Sequence, residues 1–255
     1  MNYKTLKIEI HDSAAIIKLN RPDVLNAFNK DLIFDLTDAT DLFKNDLSIK
    51  VLIIIGEGNG FCSGADLAEQ ANEKSNAEDA LMMGFKPIFE NIINMPKPVI
   101  AAIHGPAAGI GAALALACDL RIMTKDAYLL SVFSNIGLIP DGGLNWLLPR
   151  FIGYGKAYEY AIEAKKISSD ECFKFGIANK LVEDCDIKEE SLKWANTLSK
   201  RPSQSLINTK KLMRDSFSKN YWETFSQEAK IQKNLVGSQE NLNAIKKFFK
   251  QGKHS

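Results

Sequence analysis

No apolar run in this 255-residue chain reaches the roughly 18 residues that a membrane-spanning helix needs. The first twenty residues, MNYKTLKIEIHDSAAIIKLN, alternate polar and apolar side chains and lack the compact apolar centre of a secretory leader. Cysteine is sparse. Cys62, Cys118, Cys172 and Cys185 form no CxxC pair and share no metal-ligand spacing with the three histidines, which argues against both a disulfide framework and a metal site. Reduced thiols, no membrane partner and a cytoplasmic setting are the expectation. There is no GxxxxGK[ST] phosphate loop and no low-complexity linker. Basic motifs interleaved with aromatics are also missing, so no nucleic-acid partner is expected.

What is present is a soluble globular composition, 45% hydrophobic and 25% charged, long enough for one large α/β domain or two small ones. The net charge of +1 hides an asymmetry. From Lys200 to Ser255 twelve Lys/Arg face four Asp/Glu, a balance of +8, which leaves −7 on the preceding residues. A basic C-terminal segment suits an anion such as a nucleotide phosphate, and equally suits the solvated faces of surface helices.

Short β-like runs come early: KIEI (7–10), AAIIKLN (14–20), VLIII (51–55), VIAAI (99–103) and LRIM (120–123). VLIII and VIAAI are continuously apolar, as expected of strands covered on both faces. Between them Leu32, Ile33, Leu36, Ala39 and Phe43 fall on one helical stripe. Beyond about residue 150 the strands mostly stop and four segments read as helices, which predicts a β/α core over 1–195 and a helical region over 196–255. The polar stretch 68–82 reads as lid-like.

Two glycine-bearing turns follow apolar strands: GEGNGFCSGADL (56–67) and HGPAAGIG (104–111). Glycine lets the backbone turn sharply, and a helix starting there offers unpaired N–H donors. Two such turns side by side can aim two amides at one oxygen. Tight packing of a helix on a sheet explains the same glycines. Asp141, in GLIPDGGLNW, stands between an apolar run and two glycines. It suits proton transfer, and it suits capping a helix that starts at Gly142.

The segments LNRPDVLNAFN (19–29), FCSGADL (61–67), AAIHGPAAGIGAALALACDLRI (101–122) and GLIPDGG (137–143) resemble, in order and spacing, the signatures of the crotonase superfamily, the enoyl-CoA hydratase/isomerase family. The resemblance spans essentially the whole chain. It implies an α/β spiral of ββα turns in two sheets, with C-terminal helices that build trimers, often paired into hexamers. It implies acyl-CoA thioester substrates, with CoA entering as part of the substrate, no separate cofactor and no metal. It places the oxyanion donors on the amides of Ala65 and Ile110. It places CoA or substrate contacts at Val24, Leu25, Ala27, Ser63, Asp66, Leu67, Pro106, Gly109 and Pro140, with Lys247 or Lys250 reaching phosphates from a neighbouring subunit. Similar hydratases use two glutamates; the matching positions here are Ala113 and Phe133, neither of which accepts a proton. Asp141 resembles the acid of Asp-dependent enoyl-CoA isomerases and of ring-1,2-epoxyphenylacetyl-CoA isomerases, whose GLIPD…GG…WLLPR pattern matches GLIPDGGLNWLLPR. The expected reaction is therefore a double-bond shift in fatty-acid or ring-derived metabolism, in a pocket walled by Phe133, Ile136, Leu138 and Trp146. A hydratase, or an acyl-CoA-binding member without turnover, is the alternative. His104 is expected to be buried and hydrogen-bonded, and Cys62 to be core.

Overall fold

The computed structural model describes residues 2–71 and 76–251. The strands β1 (Leu6–His11) and β2 (Ala14–Leu19) pair antiparallel. Helix α1 (Lys30–Asn45) follows, capped by the Asn29 side chain, which accepts the Leu32 N–H at 2.9 Å. Of the predicted stripe, Leu32, Leu36, Ala39 and Phe43 are fully enclosed, and Ile33 is half-buried. Next come β3 (Val51–Gly56), α2 (Leu67–Ala71), α3 (Ala77–Asp79), a π-helical turn over Ala80–Phe85, and α4 (Lys86–Ile93). The lid-like reading of 68–82 falls partly on 72–75, which lie outside the described residues. The chain continues through β4 (Val99–Ile103), β5 (Pro106–Ala108), α5 (Ile110–Ala117), β6 (Leu120–Thr124) and β7 (Tyr128–Leu130). Then follow α6 (Leu144–Ile152), α7 (Tyr154–Ile162), β8 (Lys166–Ser168), α8 (Ser169–Lys174), β9 (Lys180–Val182), α9 (Ile187–Ser199), α10 (Ser203–Asp215), α11 (Tyr221–Leu235) and α12 (Gln239–Gln251).

One sheet has the order β1-β2-β3-β4-β6-β9, parallel from β2 onward; the other has the order β5-β7-β8. Strand β3 is buried along its whole length because both faces are covered. Leu52 and Ile54 join the core that holds α1, α4 and α5. Val51, Ile53 and Ile55 point the other way, onto Ile187 and Ala195 of α9. The four strands β5, β7, β8 and β9 have only three residues each and were not among the runs read from the sequence. No helix among the described residues is long and apolar enough to cross a membrane.

Parallel strands leave the sheet at the same edge, so the turns after β3 and β4 meet there. Ala108 N–H donates to the Cys62 carbonyl at 2.9 Å, and Cys62 pairs with Ala107 as an isolated bridge. The contact leaves no room for a side chain at Gly111, where an added Cβ would stand 2.4 Å from the Cys62 carbonyl oxygen. Gly111→Ala is therefore expected to destabilise the fold by about 2–3 kcal/mol. Gly155→Ala, in α7 with open space around it, should be neutral or gain up to about 1 kcal/mol. Thermal melts of the two variants check the contrast.

Candidate active site

The two turns are knitted by a third segment, residues 21–28. Asn26, fully buried with φ +58°, donates to the carbonyls of Glu57 (2.9 Å) and Gly60 (2.8 Å) and accepts the Arg21 N–H (2.9 Å). Phe28 N–H donates to the Gly64 carbonyl and Asp66 N–H to the Phe28 carbonyl, at 2.7 and 2.9 Å. In that parallel bridge the residue between the two, Ala65, turns its own N–H away from Phe28. On the other turn Gly109 N–H donates to the Leu130 carbonyl, and Ile110 opens α5. The first N–H groups of a helix have no acceptor within it. Among the described residues neither the Ala65 nor the Ile110 amide has a hydrogen-bond acceptor. Gly64, at φ +107°, brings the turns together: an added Cβ there would lie 3.0 Å from the Ala108 carbonyl oxygen.

Ala65 and Ile110 both line a chamber of about 340 Å³, and so does Asp141. Ser63, Leu67, Gly109, Phe133, Ile136 and Leu138 also line it. The expected apolar wall is thus present, except that Trp146 lines a second chamber, which Asp141 also borders. Oδ1 of Asp141 is buried and has no hydrogen-bond partner, and burial pushes the carboxyl up to about 6. The capping alternative is corrected by the geometry. Helix α6 starts at Leu144 behind Gly143, and no side chain caps it. The loop is instead held by Asn145, whose amide donates to the Pro140 carbonyl.

Ala113 and Phe133 are both buried. An added Cβ on Gly142 would stand 2.7 Å from the Ala113 Cβ and 2.7 Å from the Ile110 Cδ1. The loop that carries Asp141 is therefore packed tightly against α5 at Ile110 and Ala113.

Other predicted contacts are more dispersed. Val24 and Leu25 are exposed, and the Ser63 hydroxyl donates to the Val24 carbonyl at 3.1 Å. Ala27 is buried. Asp66 is engaged by Arg21 at 2.9 Å, which holds its carboxyl below the usual range. The Pro106 carbonyl accepts from Phe61 and Cys62, both at 3.1 Å. Pro140 lines the second chamber, whereas Val24, Leu25, Ala27, Asp66, Pro106, Lys247 and Lys250 line neither. Cys62 is buried, its thiol pushed up to about 12 by desolvation, and its Sγ–H donates to the Asn26 carbonyl. His104 is buried, with Nε2 2.9 Å from the Gly58 carbonyl oxygen. Arg21, Asn26, Leu81 and Phe85 were not singled out from the sequence; for the first two, the LNRP…N pattern was the available signal.

A buried carboxyl and two amides without acceptors, gathered at one chamber, are the groups needed to take a proton from a carbon next to a carbonyl and to hold the resulting oxyanion. Comparison with known proteins agrees in kind. The family model described as "Enoyl-CoA hydratase/isomerase" matches residues 9–255. A probable enoyl-CoA hydratase of Rhodobacter capsulatus is 34% identical over 98% of this chain and 97% of its own length. The 1,2-epoxyphenylacetyl-CoA isomerase of Escherichia coli is 34% identical over 74% of each chain. The crystal structure of an enoyl-CoA hydratase from a Polaromonas species superposes with a TM-score of 0.92 at 29% identity, covering 96% of this chain and 97% of that one. The chain has the crotonase fold and belongs to the enoyl-CoA hydratase/isomerase family.

Proposed function

We propose that this protein is an acyl-CoA double-bond isomerase. The carboxylate of Asp141 takes a proton from C2 of a 3-enoyl thioester. The electron pair of that C–H bond delocalises through the adjacent double bond onto the thioester oxygen, which the amides of Ala65 and Ile110 hold. The carboxylic acid then returns the proton at C4, and the double bond comes to rest between C2 and C3. Protons and electrons balance without water, metal or redox cofactor.

The observation that carries this reading is the buried, unpartnered Oδ1 of Asp141 in the same chamber as the two amides. Ala113 and Phe133 count against hydration, since neither can activate a water. The relatives carry both kinds of name, hydratase and isomerase, so it is the site that supports the finer assignment. CoA would lie along Val24, Leu25, Ala27 and Ser63, with Lys247 or Lys250 of a neighbouring subunit at its phosphates. The exposed aromatics of the last two helices, Trp222, Phe225, Phe248 and Phe249, support covering of that face by further copies of the chain, as a homotrimer or a dimer of trimers. A cytoplasmic setting fits the cysteine usage.

Asp141→Asn is expected to lower kcat for 3-enoyl to 2-enoyl conversion by about a thousandfold or more while acyl-CoA binding persists. Retention of most of the activity in a folded variant, or 3-hydroxyacyl-CoA as the main product from crotonyl-CoA, would refute the assignment. The base must be ionised, so kcat/KM should rise about tenfold per pH unit up to about pH 6 and level off above it. Stability should run the other way. A carboxyl raised from 3.8 to about 6 is most compatible with the fold when protonated, so its contribution is lost as pH rises through about 6. Asp141→Asn should therefore melt above the wild type at pH 7, with the gap closing towards pH 4.

A further inference from the structure

The chamber holding Ala65, Ile110 and Asp141 has a larger neighbour. Leu81, Phe85 and Asp141 line it and also line the second chamber, of about 1120 Å³. Ser63 and Leu67 belong only to the first, whereas Phe89, Trp146 and Ile207 belong only to the second. The two chambers therefore adjoin at Leu81, Phe85 and Asp141. The border is firm: Phe85 is buried and meets Phe28 edge-to-face at 5.4 Å. It lies on the π-helical turn Ala80–Phe85, a rare conformation that recurs at functional sites.

The second chamber is walled chiefly by hydrocarbon, from Phe89, Ile93, Met95, Trp146, Leu147 and Ile207. Of the four cations that line it, Lys86, Lys210, Lys211 and Arg214, the two that are largely buried are engaged by Asp119. Lys210 donates to Asp119 at 2.7 Å and to the carbonyls of Ile92 (3.0 Å) and Lys97 (3.3 Å), which uses its three N–H bonds. Arg214 is held by Asp119 at 2.8 Å and by the Ala117 carbonyl at 2.7 Å. An apolar tail would leave these contacts in place. The volume, about 1120 Å³, exceeds the roughly 300–1,000 Å³ that pockets for drug-sized ligands span. A four-carbon acyl group would leave most of it unfilled.

We infer that this second chamber takes the acyl portion of the substrate and selects thioesters with a large apolar acyl group, either a long chain or a ring-bearing one, over short ones. The inference rests on the reading of Asp141 and the two amides as the reacting site. Its test needs no turnover. Saturated acyl-CoA thioesters of four, eight and twelve carbons, and one with an aromatic ring, are titrated into the intact protein by calorimetry. The Kd is expected to fall at least tenfold from the four-carbon to the twelve-carbon or the ring-bearing ligand, given that a buried methylene contributes up to about fourfold. Whichever of the two binds more tightly names the class. Ile207→Trp, which fills the chamber from α10, should erase that gain and leave the four-carbon affinity unchanged.

A Kd independent of acyl size in the wild type overturns the inference, whether or not the variant folds. So does an equal loss for all ligands in a folded Ile207→Trp. If the affinities rise with size but no 3-enoyl thioester is isomerised, the isomerase reading fails and the chamber assignment stands. Isomerisation of short thioesters with flat affinities gives the reverse.

Discussion

Because β3 and β4 pair in parallel, the chain leaves both strands at one edge of the sheet, and everything in the site follows from how those two exits are tied together. Ladder-like hydrogen bonds from Ala108 to Cys62 and from Phe28 to Gly64 consume the inner backbone groups. The amides of Ala65 and Ile110 take no part in these bonds. In the proposed mechanism they are the donors held in place for a developing negative charge, the condition under which such a hydrogen bond is most effective. Gly64, Gly105 and Gly111 are required by that closeness: side chains there would meet backbone oxygens within about 3 Å.

The second determinant is a competition for space beside α5. Ala113 on the helix and Gly142 on the following loop press against each other, so the volume cannot hold a long acid on α5 while the loop keeps its place. In this chain the loop has it, and in the proposed mechanism Asp141 supplies the acid from the side of α6. That position is costly. The carboxylate is half-buried, apolar Phe133 is near it, and no donor satisfies Oδ1. The same desolvation that weakens the fold lifts the acid towards the pH at which it exchanges protons readily.

The parts of this arrangement that depend on local pattern were legible in the sequence. VLIII and VIAAI had the continuous apolarity of covered strands, and Leu32, Leu36, Ala39 and Phe43 had the spacing of a buried helix face. The two glycine turns announced sharp backbone, and their motifs the family. Strands of three residues such as β5 and β9 are too short to carry a period. The role of Asn26 as a clamp is written in contacts thirty or more residues away. The absence of a cap at Asp141 depends on where α6 begins, which two successive glycines at positive φ move beyond its reach. The large chamber is closed by α10 against α4 and α6, and no single segment records it.

The most direct measurement is a crystal structure of the protein with a saturated acyl-CoA bound, a ligand that occupies the site without double-bond transfer. The account predicts the thioester oxygen about 2.7–3.1 Å from both the Ala65 and Ile110 nitrogens, with Asp141 Oδ1 within about 3.5 Å of C2. A thioester oxygen bound away from those two amides, or an Asp141 carboxylate turned from the acyl chain, would contradict it.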